Sequence, residues 1–270
     1  MTEWMQGDVT ANGIRLHYYR TGGNKPALVL SHGFSDSGRC WGRVAQALQA
    51  DYDVVMYDAR GHGLSEAPDE GYTAVERADD LAGLVAALRL EQPAIMGHSM
   101  GAATTLYCAA LHPDLARAAV LEDGGMRSSQ PDRGFNPARA AAMHQRARDQ
   151  RELTKEALIA RCRAENPAWD EVELEPWADA KQRLSPKAIG HPIGNEQPVW
   201  QDALARVTCP LLLITADLER GASVAPETAD EARRILPTLR VANIAGAGHS
   251  VRREQFEAYI AAVKSFLGQP

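Results

Sequence analysis

Six short apolar runs punctuate the chain: Ala27–Leu30, Asp53–Tyr57, Ala94–Met96, Ala118–Leu121, Leu211–Ile214 and Leu239–Ile244. A run this short, with little polar alternation, suits a strand hidden on both faces, as in a parallel sheet. Between the runs the pattern changes period. Leu81, Leu84, Val85 and Leu88 fall at i, i+3, i+4 and i+7, which lays an apolar stripe along one face of a helix. Phe256, Tyr259, Ile260, Val263 and Phe266–Leu267 repeat it near the C-terminus. Strands that alternate with helices predict an α/β fold, a mostly parallel sheet covered on both faces. Upstream, the stretch from Asp8 to Tyr19 reads as two short strands. They join at Asn12-Gly13, a dipeptide that accepts the positive φ angles of a tight hairpin.

One stretch interrupts the alternation. From Met126 to Trp200 no strand pattern occurs, only helix-like segments at Pro137–Arg151, Thr154–Asn166 and Trp169–Leu184. Asn166-Pro167, Ser185-Pro186, His191-Pro192 and Gln197-Pro198 mark boundaries between them, because the residue before a proline avoids helical geometry. The chain therefore divides into a core, 1–125 and 201–270, and an insertion, 126–200. The insertion reads as a lid over the C-terminal edge of the sheet. Trp41, Met126, Met143, Trp169, Trp177 and Trp200 are apolar candidates for its pocket wall, with ordinary core packing as the alternative.

Composition narrows the partners. Lys+Arg 29 against Asp+Glu 35 gives a net charge of −6 over 270 residues, so the surface repels a phosphate backbone and no nucleic-acid partner is expected. No run approaches the roughly 18 apolar residues of a membrane helix, and the first twenty residues lack a signal pattern. Cys40, Cys108, Cys162 and Cys209 lie far apart without metal-ligand spacing, which suits reduced thiols and a cytoplasmic location. The expectation is a small-molecule substrate, no metal or organic cofactor, and a monomer or homodimer.

The chemistry centres on Gly97-His98-Ser99-Met100-Gly101, which follows an apolar run and precedes the helix-forming Ala102–Leu111. In that context a G-x-S-x-G segment makes a tight elbow that exposes the serine hydroxyl. Of eight histidines, His249 is the candidate base. It lies in Ala247-Gly248-His249-Ser250, between the last strand and the last helix, where a loop can reach the elbow. His98 adjoins Ser99 in the elbow and should point away, His112 fits a helix end, and His191 lies in the lid. Ser31-His32-Gly33-Phe34 ends the first buried strand. The Phe34 and Met100 backbone N–H groups are the expected oxyanion donors.

His32-Gly33-Phe34, Tyr57-Asp58-Ala59-Arg60-Gly61-His62-Gly63-Leu64-Ser65, Gly97-His98-Ser99-Met100-Gly101 and Gly248-His249-Ser250 occur in one order along almost the whole chain. Together they resemble the α/β-hydrolase superfamily, nearest its small esterases, enol-lactonase-like and acyl-homoserine-lactonase-like proteins and carbon–carbon bond hydrolases. The resemblance implies an eight-stranded sheet, a helical cap after the sixth strand and a Ser–His–acid triad of Ser99, His249 and an aspartate. Asp58 and Arg60 are expected to brace loops. For the acid, Asp217 at the end of the seventh strand is at the commoner family position and leads narrowly. Asp123 at the end of the sixth strand is the alternative, and Glu219 a third. The implied activity is hydrolysis of a carboxylic ester or lactone through an acyl-enzyme. Carbon–carbon hydrolysis, cofactor-free perhydrolysis and a non-catalytic ligand receptor are the alternatives.

Overall fold

The computed structural model describes residues 4–126, 137–191 and 199–268. In chain order its strands are β1 (Met5–Ala11), β2 (Ile14–Arg20), β3 (Ala27–Ser31), β4 (Asp53–Tyr57), β5 (Ala94–His98), β6 (Ala118–Glu122), β7 (Leu211–Thr215) and β8 (Arg240–Asn243). The helices are α1 (Gly42–Leu48), α2 (Ala74–Ala87), α3 (Met100–Leu111), α4 (Pro137–Arg151), α5 (Lys155–Glu165), α6 (Glu171–Arg183), α7 (Pro186–Gly190), α8 (Trp200–Leu204), α9 (Pro226–Ile235), α10 (Val251–Glu254) and α11 (Phe256–Leu267).

The strands form one sheet of eight in the order β1-β2-β4-β3-β5-β6-β7-β8. The β1–β2 and β2–β4 pairs are antiparallel and every pair from β4–β3 onward is parallel. The predicted hairpin closes at Asn12 and Gly13, whose φ angles of 47° and 78° match the right-handed twist of the strands it joins.

The apolar runs are buried on both faces because the sheet carries two cores. Val29, Val55, Ile95, Leu121 and Leu213 point to the side of α2, α3, α8 and α9. Leu28, Leu30, Val54, Met56, Met96, Val120 and Ile214 point to the side of α1 and α11. The last strand is shorter than expected, Arg240–Asn243 rather than Leu239–Ile244, and half-exposed, because it is the edge of the sheet.

Helices α4 to α7 lie between β6 and β7 in sequence and have a small core of their own. Leu158, Cys162, Leu174, Trp177 and Ala178 pack together inside α5 and α6. Ala147, Leu184, Ala188 and Ile189 close instead on Tyr72 and Phe34 of the sheet side. Side-chain caps start the helices where the sequence offers them. Thr154 accepts from the Ala157 N–H at 3.2 Å, and Asp170 accepts from Val172 at 3.1 Å. Ser185 caps Lys187, with Pro186 at the first turn of α7. Of the expected boundaries at His191-Pro192 and Gln197-Pro198, Pro192, Gln197 and Pro198 lie outside the described residues. Trp200, expected at the end of the insertion, packs into the sheet core through α8, and Met126 packs into the same core from the segment after β6.

Candidate active site

The elbow between β5 and α3 holds Ser99 at φ 52° and ψ −109°, a conformation costly for a residue with a side chain. The surrounding packing enforces it. A Cβ at Gly97 would run into the Gly101 carbonyl, and one at Gly101 into the Ser31 carbonyl, so only glycine lets strand and helix approach this closely. The Ser99 N–H donates to the Glu122 carbonyl of β6 at 3.0 Å, which ties the elbow to the neighbouring strand.

His249 reaches the elbow from the turn between β8 and α10. Its Nε2 lies 3.0 Å from Ser99 Oγ and its Nδ1 lies 2.7 Å from Asp123 Oδ2. The carboxylate can only accept, so Nδ1 carries the proton and Nε2 presents a lone pair to the serine hydroxyl. Asp123 is fully buried and its own oxygens are well supplied. Oδ2 also accepts the Ser223 N–H at 2.7 Å, and Oδ1 accepts the Val224 N–H at 3.0 Å. Ser223 Oγ lies 3.1 Å from His249 Nδ1.

This geometry corrects the order of the acid candidates. Asp217 does not face His249. Its Oδ2 accepts the Gly246 N–H at 2.7 Å and its N–H donates to the Ala247 carbonyl at 2.9 Å, so it braces the loop that leads to His249. Asp123 leaves β6 at a φ of 39°, and that left-handed turn accompanies its approach to the imidazole. Glu219 sits exposed in the short turn Leu218–Arg220.

His98, next to Ser99 in sequence, lies beneath the His249 ring, with centroids 4.7 Å apart. Its Nε2–H donates to the His249 carbonyl at 2.8 Å. Burial, then the charges of Arg252 and His249, hold its pKa well below the usual histidine value, so it stays neutral. Sequence reading missed this supporting role. The other histidines take up separate positions. His112 lies 3.0 Å from Asp79, and His191 stacks on Tyr72 at 4.5 Å.

Phe34 and Met100, the expected oxyanion donors, line one small pocket. Its walls also include Arg60, His62, Tyr72, Arg77, Ala188 and His191, so the insertion contributes to it through α7 and the residue after it. Arg60 is held by Asp80 through both carboxylate oxygens, and Arg77 Nε donates to Thr104 Oγ1. His62 donates from Nδ1 to the Arg60 carbonyl at 2.8 Å. Burial, then repulsion from His32, pushes its pKa down to about 3. Asp58 accepts from Gly38 at 2.7 Å and from Leu64 at 2.8 Å, which braces the two loops around it. Among the described residues, no group of three or more His, Cys, Asp or Glu is placed to hold a metal ion. No helix among them is long and apolar enough to cross a membrane.

A family model described as "Alpha/beta hydrolase family" matches residues 28–262. The chain is an α/β hydrolase. N-formylmaleamate deformylase of Pseudomonas putida is 32% identical to this hydrolase, over 98% of this chain and 97% of its own length. The 2-(acetamidomethylene)succinate hydrolase of Mesorhizobium japonicum is 28% identical, over 92% of this chain and 90% of its own. The crystal structure of E-2-(acetamidomethylene)succinate hydrolase superposes with a TM-score of 0.81 at 23% identity, covering 98% of this chain and all of the other, and so shares the α/β-hydrolase fold.

Proposed function

We propose that this hydrolase transfers an acyl group from a small molecule to water through Ser99. The observation that carries the reading is the continuous chain Ser99–His249–Asp123, with links of 3.0 and 2.7 Å, set on a strained elbow. In this reading Ser99 Oγ attacks the acyl carbonyl while His249 Nε2 takes its proton. Asp123 fixes the tautomer and stabilises the imidazolium that forms. The Phe34 and Met100 N–H groups receive the negative charge on the tetrahedral oxygen, where a helix N-terminus at α3 also favours it. His249 returns the proton to the leaving group and then activates the water that releases the acid. Helices α4 to α7 form the lid, closing on Phe34 and Tyr72. Four free cysteines suit work in a reducing, cytoplasmic compartment.

The same machinery opens esters, lactones and N-acyl bonds, so the ester-or-lactone expectation stays within it. The names of the two relatives that span the chain point to the N-acyl member of that set. One substrate carries an N-formyl group and the other an acetamido group, and both bear carboxylates. The test is turnover of N-formylmaleamate, 2-(acetamidomethylene)succinate, p-nitrophenyl acetate and a butyrolactone by wild type and Ser99→Ala. Expected is turnover of at least one N-acyl compound, abolished in Ser99→Ala. Turnover of the ester or lactone alone would return the substrate to the esterase reading. Turnover that survives Ser99→Ala would overturn the serine mechanism.

A further inference from the structure

Directly behind the Asp123–His249 pair lies a cluster of buried charges that this mechanism does not use. Asp36, Glu122 and Glu173 face Lys181, Arg252 and Arg253, and each of the six is at most 4% exposed. Three carboxylates against three cations leave the cluster neutral, which is how so many charges can be buried together. Burial alone would raise the pKa of Asp36. Arg253, Lys181 and Arg252 instead hold it well below the usual carboxylate range.

Arg252 is the hub. Its backbone N–H donates to Glu122 Oε1 at 3.0 Å, and its Nη1 lies 3.3 Å from Glu122 Oε2. Its Nη2 donates to Asp36 Oδ2 at 3.0 Å, and its guanidinium lies over the Trp41 ring at 4.3 Å. The sequence positions of these partners give the contacts their meaning. Glu122 immediately precedes Asp123, Asp36 follows Phe34 by two residues, and Arg252 follows His249 by three. One planar guanidinium therefore joins the strand end that carries the acid, the loop that carries an oxyanion donor and the turn that carries the base. Lys181 and Glu173 extend the cluster to α6. Lys181 Nζ reaches Asp36 Oδ1 at 3.2 Å and the Ser35 carbonyl at 2.6 Å, and Arg253 Nε reaches Glu173 Oε2 at 3.0 Å.

We infer that Arg252 is a positioning residue that holds Asp123, His249 and the Phe34 amide in one register. The inference rests on the acyl-transfer reading of Ser99. A lysine would keep the charge but has one ammonium at the end of a flexible stem. It cannot span Glu122 and Asp36 with the fork geometry of a guanidinium. Misplacement of reacting groups by about 1 Å can cost up to about a hundredfold in rate, so even a small slackening should be measurable.

The test is the rate at which diisopropyl fluorophosphate labels Ser99, located by mass spectrometry of the labelled peptide. In that step Ser99 Oγ forms the O–P bond, the P–F bond breaks, fluoride leaves and the serine proton passes to His249 Nε2. The groups in contact with His249 are Asp123, Ser99, Ser223 and His98, with the charges of Glu122 and Arg252 behind them, and Arg252→Lys replaces none of those contacting groups and removes none of those charges. Arg252→Lys should label about 10-fold or more slowly, with the acid limb of its rate–pH profile moved to lower pH as the Asp123–His249 contact loosens. Val263→Ala, in the α11 core, should lose melting temperature yet label at the wild-type rate. Should Arg252→Lys not fold, Glu122→Gln replaces it, with slowing of about 3-fold or more expected. Wild-type labelling kinetics in the folded variant overturn the inference, as does equal slowing in Val263→Ala. A wild-type protein that is not labelled at Ser99 overturns the acyl-transfer reading itself, and the inference with it.

Discussion

Two neighbouring strands of this sheet, β6 and β7, each deliver an aspartate to the same edge, and the two carboxylates end in different surroundings. Asp123 is fully buried and takes two backbone N–H groups from the Ser223–Val224 loop, then His249 Nδ1. Asp217 is half-buried and takes the Gly246 amide. Donors from the protein fix the first carboxylate before any proton moves. The second serves the loop that leads to the histidine. A strand end brings a side chain to the right edge, but backbone conformation and the donors around it decide what that side chain touches.

The largest expected effect comes from neutralising the buried carboxylate. Asp123→Asn keeps the volume but removes the charge and can hold His249 in the wrong tautomer. A loss of about 10⁴ in kcat is expected, the size of the same change in the serine-protease triad. Steady-state kinetics on the best substrate check it. A loss smaller than tenfold would break the comparison at its stronger end.

Next in size is a pH effect on stability, carried by buried histidines at the strand ends and in the loops around the sheet edge. His32, His62 and His98 are fully buried, and burial as the leading cause lowers the pKa of each. For a base with a depressed folded pKa, the unfolded chain binds more protons as pH falls. Stability is therefore full above the unfolded value of about 6.5 and declines below it, by up to about 1.4 kcal/mol per pH unit for each group. For His62 that window runs down to about 3. Thermal melts between pH 7.5 and 4.5 should show a steadily falling Tm. A flat profile would contradict the neutral buried histidines.

The insertion contributes a smaller effect. His191, stacked on Tyr72 in the pocket wall, should influence which acyl groups fit more than the chemistry itself. His191→Ala should change the ratio of kcat/KM between short and long acyl chains by roughly tenfold. One common factor across all substrates would make this part of the chain scaffold rather than lid. The smallest effect belongs to Asp217. Asp217→Asn should cost the protein about 0.5–1.5 kcal/mol in a denaturant melt, the value of a hydrogen bond, and leave kcat within a few-fold.

The sheet and the elbow were legible from sequence because each rests on local pattern. Apolar runs such as Val29–Leu30 name buried strands, and Gly97 and Gly101 name a turn with no room for a Cβ. His249 was legible as the candidate base from its place in Ala247-Gly248-His249-Ser250, between the last strand and the last helix. The choice of acid was not. It depends on a φ of 39° at Asp123 and on amides a hundred residues away at Ser223 and Val224, and no local pattern reports either. The charge cluster was equally hidden. Arg252-Arg253 and Lys181 look in sequence like ordinary solvated charges, and their burial depends on carboxylates brought in from three other elements. For Trp200 the core-packing alternative holds, because α8 carries it into the sheet core beside α3.

The central claim is that the Nδ1–H of His249 donates its hydrogen bond to Asp123 and not to Asp217. Proton NMR of that hydrogen-bonded Nδ1–H tests it in wild type, Asp123→Asn and Asp217→Asn, each shown to be folded. The account predicts a strongly downfield imidazole N–H resonance in wild type, retained in Asp217→Asn and lost or moved far upfield in Asp123→Asn. A resonance that survives Asp123→Asn and disappears in Asp217→Asn would contradict it.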